Sequence, residues 1–272
     1  MMAGMRHLAD EVEGLITAKI DEDFDRAVTD PGLAAATARF GRTTVTRLAA
    51  LPRHPAYNKA RGFNVDDVDR LPAVCAFFAN AGLPPLIEVW AGDASATLGR
   101  RLADAGFYAA EVNATLRAEP GRSASTAPDH RRIDIRELAT GEDDAVYLDT
   151  LFRGYGLGSG SVSAERTMMA IEHRSTRLRR YLGYLDGQPA AAAALYTTPT
   201  GTYFAGAATI PAMRNQGCQS ALIQQRLQDA ATVAQPAVVT TAFGSPSQAN
   251  LQRHGFRIVH TRALWRPLAA TE

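Results

Sequence analysis

The residues best placed to do chemistry lie in one stretch, 203–227, in which an apolar segment, a polar segment and a second apolar segment follow one another. Residues 203–210 are predicted to form a strand that leads through a turn at Pro211 into a polar loop, 214–219. The apolar residues after the loop recur at helical spacing and predict a helix: Leu222, Ile223 and Leu227. A loop that becomes a helix N-terminus directs backbone N–H groups at one point, which suits a phosphate or pyrophosphate.

Two small residues mark the start of the predicted helix. Gly217 has no side chain, so the backbone can approach an anion closely there. Cys218 is the next residue, and the helix N-terminus is expected to lower the pKa of its thiol. The sequence leaves open whether Cys218 is a nucleophile or simply a small residue that fits the loop.

The spacing of the polar loop carries a family resemblance. Arg214, Gly217 and Gln219 form the pattern Arg-x-x-Gly-x-Gln. This resembles the coenzyme A pyrophosphate loop of the GNAT superfamily of N-acetyltransferases, whose pattern is Gln/Arg-x-x-Gly-x-Gly/Ala, with Gln219 as a departure. A helix followed by Gly255-Phe256 and a final strand is similar to the C-terminal end of that family.

The resemblance implies that acetyl-CoA is the cofactor. Coenzyme A would pair with the backbone of the strand, at Ala208, Thr209 and Ile210. The other residues that the resemblance assigns to the cofactor belong to the loop and the start of the helix: Arg214, Asn215, Gln216, Gly217, Cys218, Gln219 and Ser220. Asn250, on the following helix, either binds the cofactor or donates an N–H to a loop.

The catalytic side chains of the family are not found at their usual positions. Many members carry a Tyr where this chain has Leu251, and a Glu on the strand where 203–209 has none. Tyr155, Tyr203 and Glu88 are therefore the candidate catalytic residues. Each tyrosine could instead be a core or rim aromatic, and solvent could serve as the base.

Composition excludes several other classes of function. The chain has 272 residues, of which 46% are hydrophobic and 21% charged, and a net charge of +1, so nothing draws it to nucleic acid or to an anionic membrane. Its two cysteines are far apart, which argues against a disulfide framework and a cysteine-based zinc site and fits a reducing cytoplasm. The N-terminus lacks the apolar core of a signal peptide, and the longest apolar run, 189–196, is too short to span a membrane.

A short internal repeat predicts two similar halves. Residues 102–107 and 251–256 share a helix end, a glycine and a phenylalanine that opens the next strand. We therefore expect an α/β protein of two tandem GNAT-like domains, 1–120 and 131–272, each a mixed, mostly antiparallel sheet flanked by helices, with 118–130 as the linker. The first half lacks the Arg-x-x-Gly loop, so it is predicted to shape the substrate cleft.

The sequence as a whole predicts a cytoplasmic N-acetyltransferase that uses acetyl-CoA and transfers the acyl group directly to a primary amine of a small molecule. An aminosugar or antibiotic-like amine is one candidate acceptor, which would make the protein a resistance factor. A non-catalytic acyl-CoA-binding or regulatory protein and a peptide or protein N-acetyltransferase remain open as alternatives. The chain is expected to be a monomer or a homodimer, with no metal, nucleic acid or membrane partner.

Overall fold

The computed structural model describes residues 2–120, 132–139, 144–157 and 163–268, without the side chains of residues 2–6. Most of the predicted linker, at 121–130, lies outside the described residues. The glycine-rich segment 154–161 is predicted as a flexible loop, and its residues 158–161 also lie outside the described residues.

The described residues form seven α-helices and twelve strands. The helices are α1 Met2–Ala27, α2 Leu71–Ala79, α3 Ala96–Asp104, α4 Asp144–Gly154, α5 Ser163–Glu172, α6 Cys218–Thr232 and α7 Pro246–Arg253. The strands are β1 Ala35–Phe40, β2 Thr43–Leu48, β3 Lys59–Arg61, β4 Ile87–Trp90, β5 Phe107–Ala118, β6 Ile133–Leu138, β7 Leu178–Leu185, β8 Gln188–Thr198, β9 Gly201–Tyr203, β10 Ala207–Thr209, β11 Ala237–Ala242 and β12 Arg257–Pro267. Short 3₁₀ helices cover Val65–Arg70 and Pro211–Met213.

The chain divides into two compact units. Unit 1 contains Met1–Gly14, Ile20–Thr115 and Val259–Glu272, and unit 2 contains Leu15–Lys19 and Leu116–Ile258. Most of strand β12 therefore groups with unit 1, and the predicted domains 1–120 and 131–272 stay a prediction. In unit 1 the strand order is β1-β2-β3-β4-β12-β5, so the C-terminal strand lies between two strands from the first half of the sequence.

Unit 1 has an apolar core on one side of its strands and a buried ionic cluster on the other. The core contains Val45, Ala60, Phe63, Val74, Phe78, Ile87, Leu98 and Leu102. On β3, Ala60 enters this core, and its neighbours Lys59 and Arg61 are buried on the opposite face because strand side chains alternate. Lys59 donates to Glu88 at 3.0 Å, and Arg61 donates to the Thr46 hydroxyl at 2.8 Å.

Unit 2 has the strand order β11-β9-β8-β7-β6, with β10 also pairing with β8. Strand β7 pairs antiparallel with β6 and with β8, and β8 also pairs antiparallel with β9 and with β10. Strand β9 pairs parallel with β11. The alanines at 190–194 of β8 are fully buried, and their small side chains allow helices to approach the sheet closely. At one such approach a Cβ on Gly154 would lie 2.6 Å from the Cβ of Ala208, so α4 fits against β10 only with glycine at this position.

Most of the predicted elements are confirmed. Alternating apolar residues predict a strand at 133–138, and β6 has these bounds; Asp186-Gly187 predicts a tight hairpin, and it joins β7 to β8 with positive φ at both residues. Three features differ from prediction. Residues 1–40 are predicted as a helical segment, but 35–40 form β1. The turn-rich segment 54–63 is predicted as a loop, but it contains β3. The predicted strand 203–210 is divided into β9 and β10.

Candidate active site

A break in the predicted strand 203–210 opens the site. The N–H of Ala194 donates to the carbonyls of both Ala205 and Gly206 at 3.1 Å, and Gly206 adopts a φ of +54° that favours glycine. Before the break, β9 runs beside β11, and the N–H of Phe204 donates to the carbonyl of Val238 at 2.9 Å. After it, the described pairing of β10 is with β8. β10 and β11 therefore separate and leave a gap in the sheet.

The backbone of β10 presents polar groups to this gap. The N–H of Ile210 donates to Ala190 at 2.9 Å, and its carbonyl accepts from Met213 at 2.8 Å, so both groups are engaged within the protein. Hydrogen-bonded pairs alternate along antiparallel strands, so Ala207 and Thr209 turn their N–H and C=O groups away from β8. Of the three residues predicted to pair with the cofactor, Ala208, Thr209 and Ile210, only Thr209 has its backbone facing the gap.

The predicted anion loop follows directly. Asn215 and Gly217 have φ values of +62° and +89°, and Gly217 is the N-cap of α6 without a side-chain hydrogen bond to the first turn. The first N–H groups of α6 have no intrahelical acceptor, and the helix dipole gives this end a partial positive charge. The loop can therefore bind an anion through its backbone.

A cleft of about 590 Å³ joins the strand and the loop. Among the residues predicted to bind the cofactor, its lining includes Ala208, Thr209, Arg214, Asn215, Gly217, Cys218, Gln219, Ser220 and Asn250, and does not include Ile210 and Gln216. Tyr155, Ala207 and Arg253 also line it. Within the described part of the chain the lining contains two arginines and no carboxylate, which favours a negatively charged ligand.

Hydrogen bonds hold the polar side chains of the cleft. Arg214 donates to the carbonyl of Thr209 at 3.2 Å and to that of Gly154 at 3.0 Å, which ties β10 to the end of α4. Asn250 accepts at Oδ1 from Ser220 at 3.3 Å and from Arg253 at 3.1 Å. The two arginines therefore lie at fixed positions on different elements around the cleft.

Comparison with known proteins identifies the fold. No family model matches the chain, and no curated protein sequence matches it. A GCN5-related N-acetyltransferase from Kribbella flavida has a similar structure, with a TM-score of 0.64 at 16% identity over 94% of this chain and 95% of that one. A tandem GNAT protein from the clavulanic acid biosynthesis pathway matches with a TM-score of 0.55 at 12% identity, over 88% of this chain and 85% of that one. A functionally unknown conserved protein from Staphylococcus epidermidis matches at 0.59 and 13% identity, over 86% and 95%.

The chain has the fold of the GCN5-related N-acetyltransferases. The predicted fold class, a mixed and mostly antiparallel α/β structure flanked by helices, is therefore confirmed. At these identities the likeness is one of fold, and the tandem arrangement of two GNAT-like halves stays a prediction.

Tyr155 is the candidate catalytic residue that lies in the cleft of this GCN5-related fold. Its hydroxyl accepts the outward N–H of Ala207 at 3.1 Å. The side chain remains 48% exposed, but protein atoms surround its hydroxyl end, and this burial is the main reason that its pKa is raised to about 12. The charge of Glu172 raises the pKa further. The hydroxyl is protonated at neutral pH and can give up a proton in the cleft.

Tyr203 lies outside the cleft lining. It ends β9, before the strands separate, and its hydroxyl is 3.5 Å from that of Thr240. The structure does not bring Tyr203 and Tyr155 together in the cleft.

Glu88 belongs to unit 1 and has no exposed surface. One carboxylate oxygen accepts from Lys59 at 3.0 Å, and the other accepts from the Trp90 indole at 3.1 Å. Burial alone would raise the pKa of Glu88, but the charges of Lys59, Arg262 and Arg61 outweigh it and lower the pKa. Burial is also the main reason that the pKa of Lys59 is lowered, since two arginines oppose the one carboxylate that supports its charge. Glu88 is thus enclosed in the ionic cluster and cannot meet a substrate.

The expected activation of Cys218 was wrong. Burial raises the pKa of its thiol and outweighs the backbone hydrogen bond that would lower it. Cys218 is a neutral, buried residue at the start of α6.

Sequence reasoning missed several residues at or beside the cleft. Ala207 and Arg253 line it, and a buried pair, Tyr147 and His173, lies beside Gly206. The alternation of an antiparallel strand could have identified Ala207 had the break at Gly206 been predicted. His173 has no comparable signal, because it precedes an arginine-rich segment typical of a solvated surface.

Two other kinds of site are not found in the described part of the chain. Its histidines, cysteines and carboxylates form no group of three that could hold a metal ion. None of its helices combines the length and apolar character needed to cross a membrane.

Proposed function

We propose that unit 2 binds acetyl-CoA in the cleft beside β10 and catalyses transfer of its acyl group to a primary amine of a small molecule. The observation that carries this proposal is the separation of β10 from β11, which turns the backbone of Ala207 and Thr209 toward a cleft that ends at the uncapped N-terminus of α6. A long polar ligand with an anionic group along its length fits such a cleft.

The residues present fit coenzyme A in both chemistry and order. The N–H of Ala207 donates to Tyr155 and the carbonyl of Thr209 accepts from Arg214, so the other two outward groups, the carbonyl of Ala207 and the N–H of Thr209, are the ones that suit the amides of an extended chain. The N–H groups of 215–220 suit a pyrophosphate, as does the partial positive charge of α6. Arg214 and Arg253 supply formal positive charge in a lining without carboxylates among its described residues.

Tyr155 is the residue that we assign as general acid. Acyl transfer forms a bond between the amine nitrogen and the acyl carbon, breaks the bond from that carbon to sulfur, and releases one proton from the amine. The bound thioester supplies the activated acyl group. The Tyr155 hydroxyl donates a proton to the departing sulfur and is reprotonated from solvent, which takes up the amine proton. This accounts for the reaction although Leu251 stands where the family carries a tyrosine.

The acceptor is proposed as a small-molecule amine, with an aminosugar or antibiotic-like amine as one candidate. A second candidate function, non-catalytic binding of an acyl-CoA, is favoured by one observation. The described lining of the cleft offers no carboxylate that could act as a general base.

A thiol-release assay with acetyl-CoA and a panel of amines tests the proposal. The panel contains aminosugars, polyamines and peptides with free N-termini. Release of thiol that depends on an aminosugar or polyamine supports the proposed function. Calorimetric binding of acetyl-CoA without release for any amine favours the non-catalytic function, and failure to bind acetyl-CoA contradicts both.

A further inference from the structure

A buried tyrosine–histidine pair lies next to the break that opens the cleft. The hydroxyl of Tyr147, on α4, is 3.0 Å from Nδ1 of His173, the residue that follows α5. Tyr147 is fully buried and His173 is 9% exposed. Their rings meet edge to face, with centroids 5.1 Å apart, so each holds the orientation of the other.

The hydrogen bond determines where the imidazole carries its hydrogen. Among the described residues, Nδ1 of His173 is the hydrogen-bond partner of the Tyr147 hydroxyl, and leaving a buried O–H without an acceptor is destabilising. Tyr147 therefore donates and Nδ1 accepts. A neutral imidazole has one N–H, so in His173 it is on Nε2.

The surroundings keep both side chains neutral. Burial raises the pKa of Tyr147 well above its usual value, so its hydroxyl keeps the proton. Burial, followed by the charges of Lys19 and Arg180, lowers the pKa of His173 to about 3. His173 is thus a neutral N–H donor throughout the physiological pH range, not a base.

Nε2 lies beside the glycine at the break. A Cβ on Gly206 would be 3.4 Å from Nε2 of His173 and 3.6 Å from the Tyr155 hydroxyl, so both groups converge on the space that the missing side chain leaves. The next residue is Ala207, whose N–H points into the cleft. Within the described residues, Nε2 has no hydrogen-bond partner of its own.

We propose that His173, held in the Nε2–H form by Tyr147, donates a hydrogen bond to the acyl carbonyl oxygen of acetyl-CoA bound beside Gly206 and Ala207. The inference rests on the proposed function. Negative charge develops on this oxygen as the amine attacks, and a donor fixed in advance stabilises it without being reoriented. No proton is transferred to or from His173. His173 is a catalytic residue in this proposal and Tyr147 is a positioning residue.

Nitrogen NMR of protein labelled with ¹⁵N-histidine tests the hydrogen position without any assay of activity. His173→Gln identifies the resonances of this side chain by their loss. We expect the pattern of a neutral imidazole protonated at Nε2, unchanged between pH 6 and 8. In Tyr147→Phe, where Nδ1 has lost its donor, a mixture of the two neutral forms or a raised pKa is expected. The matched variant Tyr184→Phe should leave the pattern unchanged. An Nδ1–H pattern in the unmodified protein overturns the inference.

Titration with acetyl-CoA and with coenzyme A then tests the contact itself. The Nε2–H resonance of His173 should move on addition of acetyl-CoA and should stay closer to its free position with coenzyme A, which has no acyl carbonyl. If calorimetry shows that acetyl-CoA binds but the resonance does not distinguish the two ligands, this inference is wrong and the proposed function stands. If acetyl-CoA does not bind, both are wrong.

Discussion

The hydroxyl of Tyr155 accepts a hydrogen bond of 3.1 Å from the N–H of Ala207, the first residue of β10. This contact joins the end of α4 to the strand that leaves the sheet. It also places a neutral hydroxyl at the backbone group nearest the break. In the proposed reaction, that hydroxyl is the proton donor closest to where the acyl group would lie.

Replacing Tyr155 with phenylalanine should slow acyl transfer while leaving acetyl-CoA binding almost unchanged. A general acid contributes about 10²-fold to 10⁴-fold, so the loss in kcat should be at least about 10²-fold. Because the pKa of Tyr155 is raised to about 12, kcat should show no alkaline loss from this group below about pH 11. Thiol-release kinetics and calorimetry measure the two effects.

Tyr203→Phe is the matched control, since Tyr203 is a tyrosine of unit 2 that ends β9 and lies outside the cleft lining. It should retain kcat within about threefold, which corresponds to less than 1 kcal/mol. Equal losses in the two variants would contradict the assignment of Tyr155 as general acid.

Gly154→Ala should destabilise unit 2 and weaken acetyl-CoA binding. The new Cβ would lie 2.6 Å from the Cβ of Ala208 and 3.1 Å from the backbone N of Thr209, so α4 and β10 must move apart. Overpacking of this kind costs about 1–3 kcal/mol. Chemical denaturation and calorimetry should both show the change.

Gly14→Ala provides the comparison for Gly154, because Gly14 is also helical and a Cβ there meets nothing within 4 Å. It should stabilise the protein by about 0.5–1 kcal/mol through helix propensity. Stabilisation by both substitutions would show that the contact between α4 and β10 is not tight.

Glu88→Gln should destabilise the protein without a specific effect on catalysis. It leaves Lys59 buried without the carboxylate that accepts from it, whereas Arg262 keeps its ion pair with Glu13, and breaking a buried ion pair costs about 3–5 kcal/mol. Urea denaturation measures the loss. A fall in kcat without a loss of stability would instead support a catalytic role for Glu88.

The effect of Glu88 on stability should depend on pH in a defined direction. Its folded pKa is lowered, so its contribution is fully present above the unfolded pKa of about 4.3 and is lost as the pH falls below it. The stabilities of the unmodified protein and Glu88→Gln should therefore converge below about pH 4. A constant difference from pH 7 to pH 3 would show that the ion pairs do not shift this pKa.

Periodicity and turn chemistry predicted most of the elements, because local patterns determine them. The helix α6 has apolar residues at helical spacing, and Asp186-Gly187 has the residues that a tight hairpin requires. The break in 203–210 was missed because the apolar pattern is continuous, and Gly206 is the one local sign of it. Strand β3 was missed because its lysine and arginine are buried only through partners elsewhere in the chain.

The site residues that are consecutive in sequence could be predicted. Those brought to their positions by contacts with distant parts of the chain could not. The loop 214–220 is continuous in sequence, so its residues could be named together. Glu88 lies on the opposite face of β4 from Ile87 and Val89, yet all three are buried, and Lys59, which forms an ion pair with Glu88, lies 29 residues away. His173 is in a buried contact with Tyr147, 26 residues away in the chain. The arginine-rich residues after His173 do not indicate that it is buried.

Calorimetric titration of acetyl-CoA tests the central claim, that the cleft between β10 and α6 holds the cofactor. Gly217→Leu and Gly187→Leu both place a side chain at a positive φ, each with a strain of about 1–2 kcal/mol, but only Gly217 lines the cleft. We predict binding by the unmodified protein and by Gly187→Leu, and none by Gly217→Leu. Absence of binding by the unmodified protein, or unchanged affinity in a folded Gly217→Leu, would contradict the account.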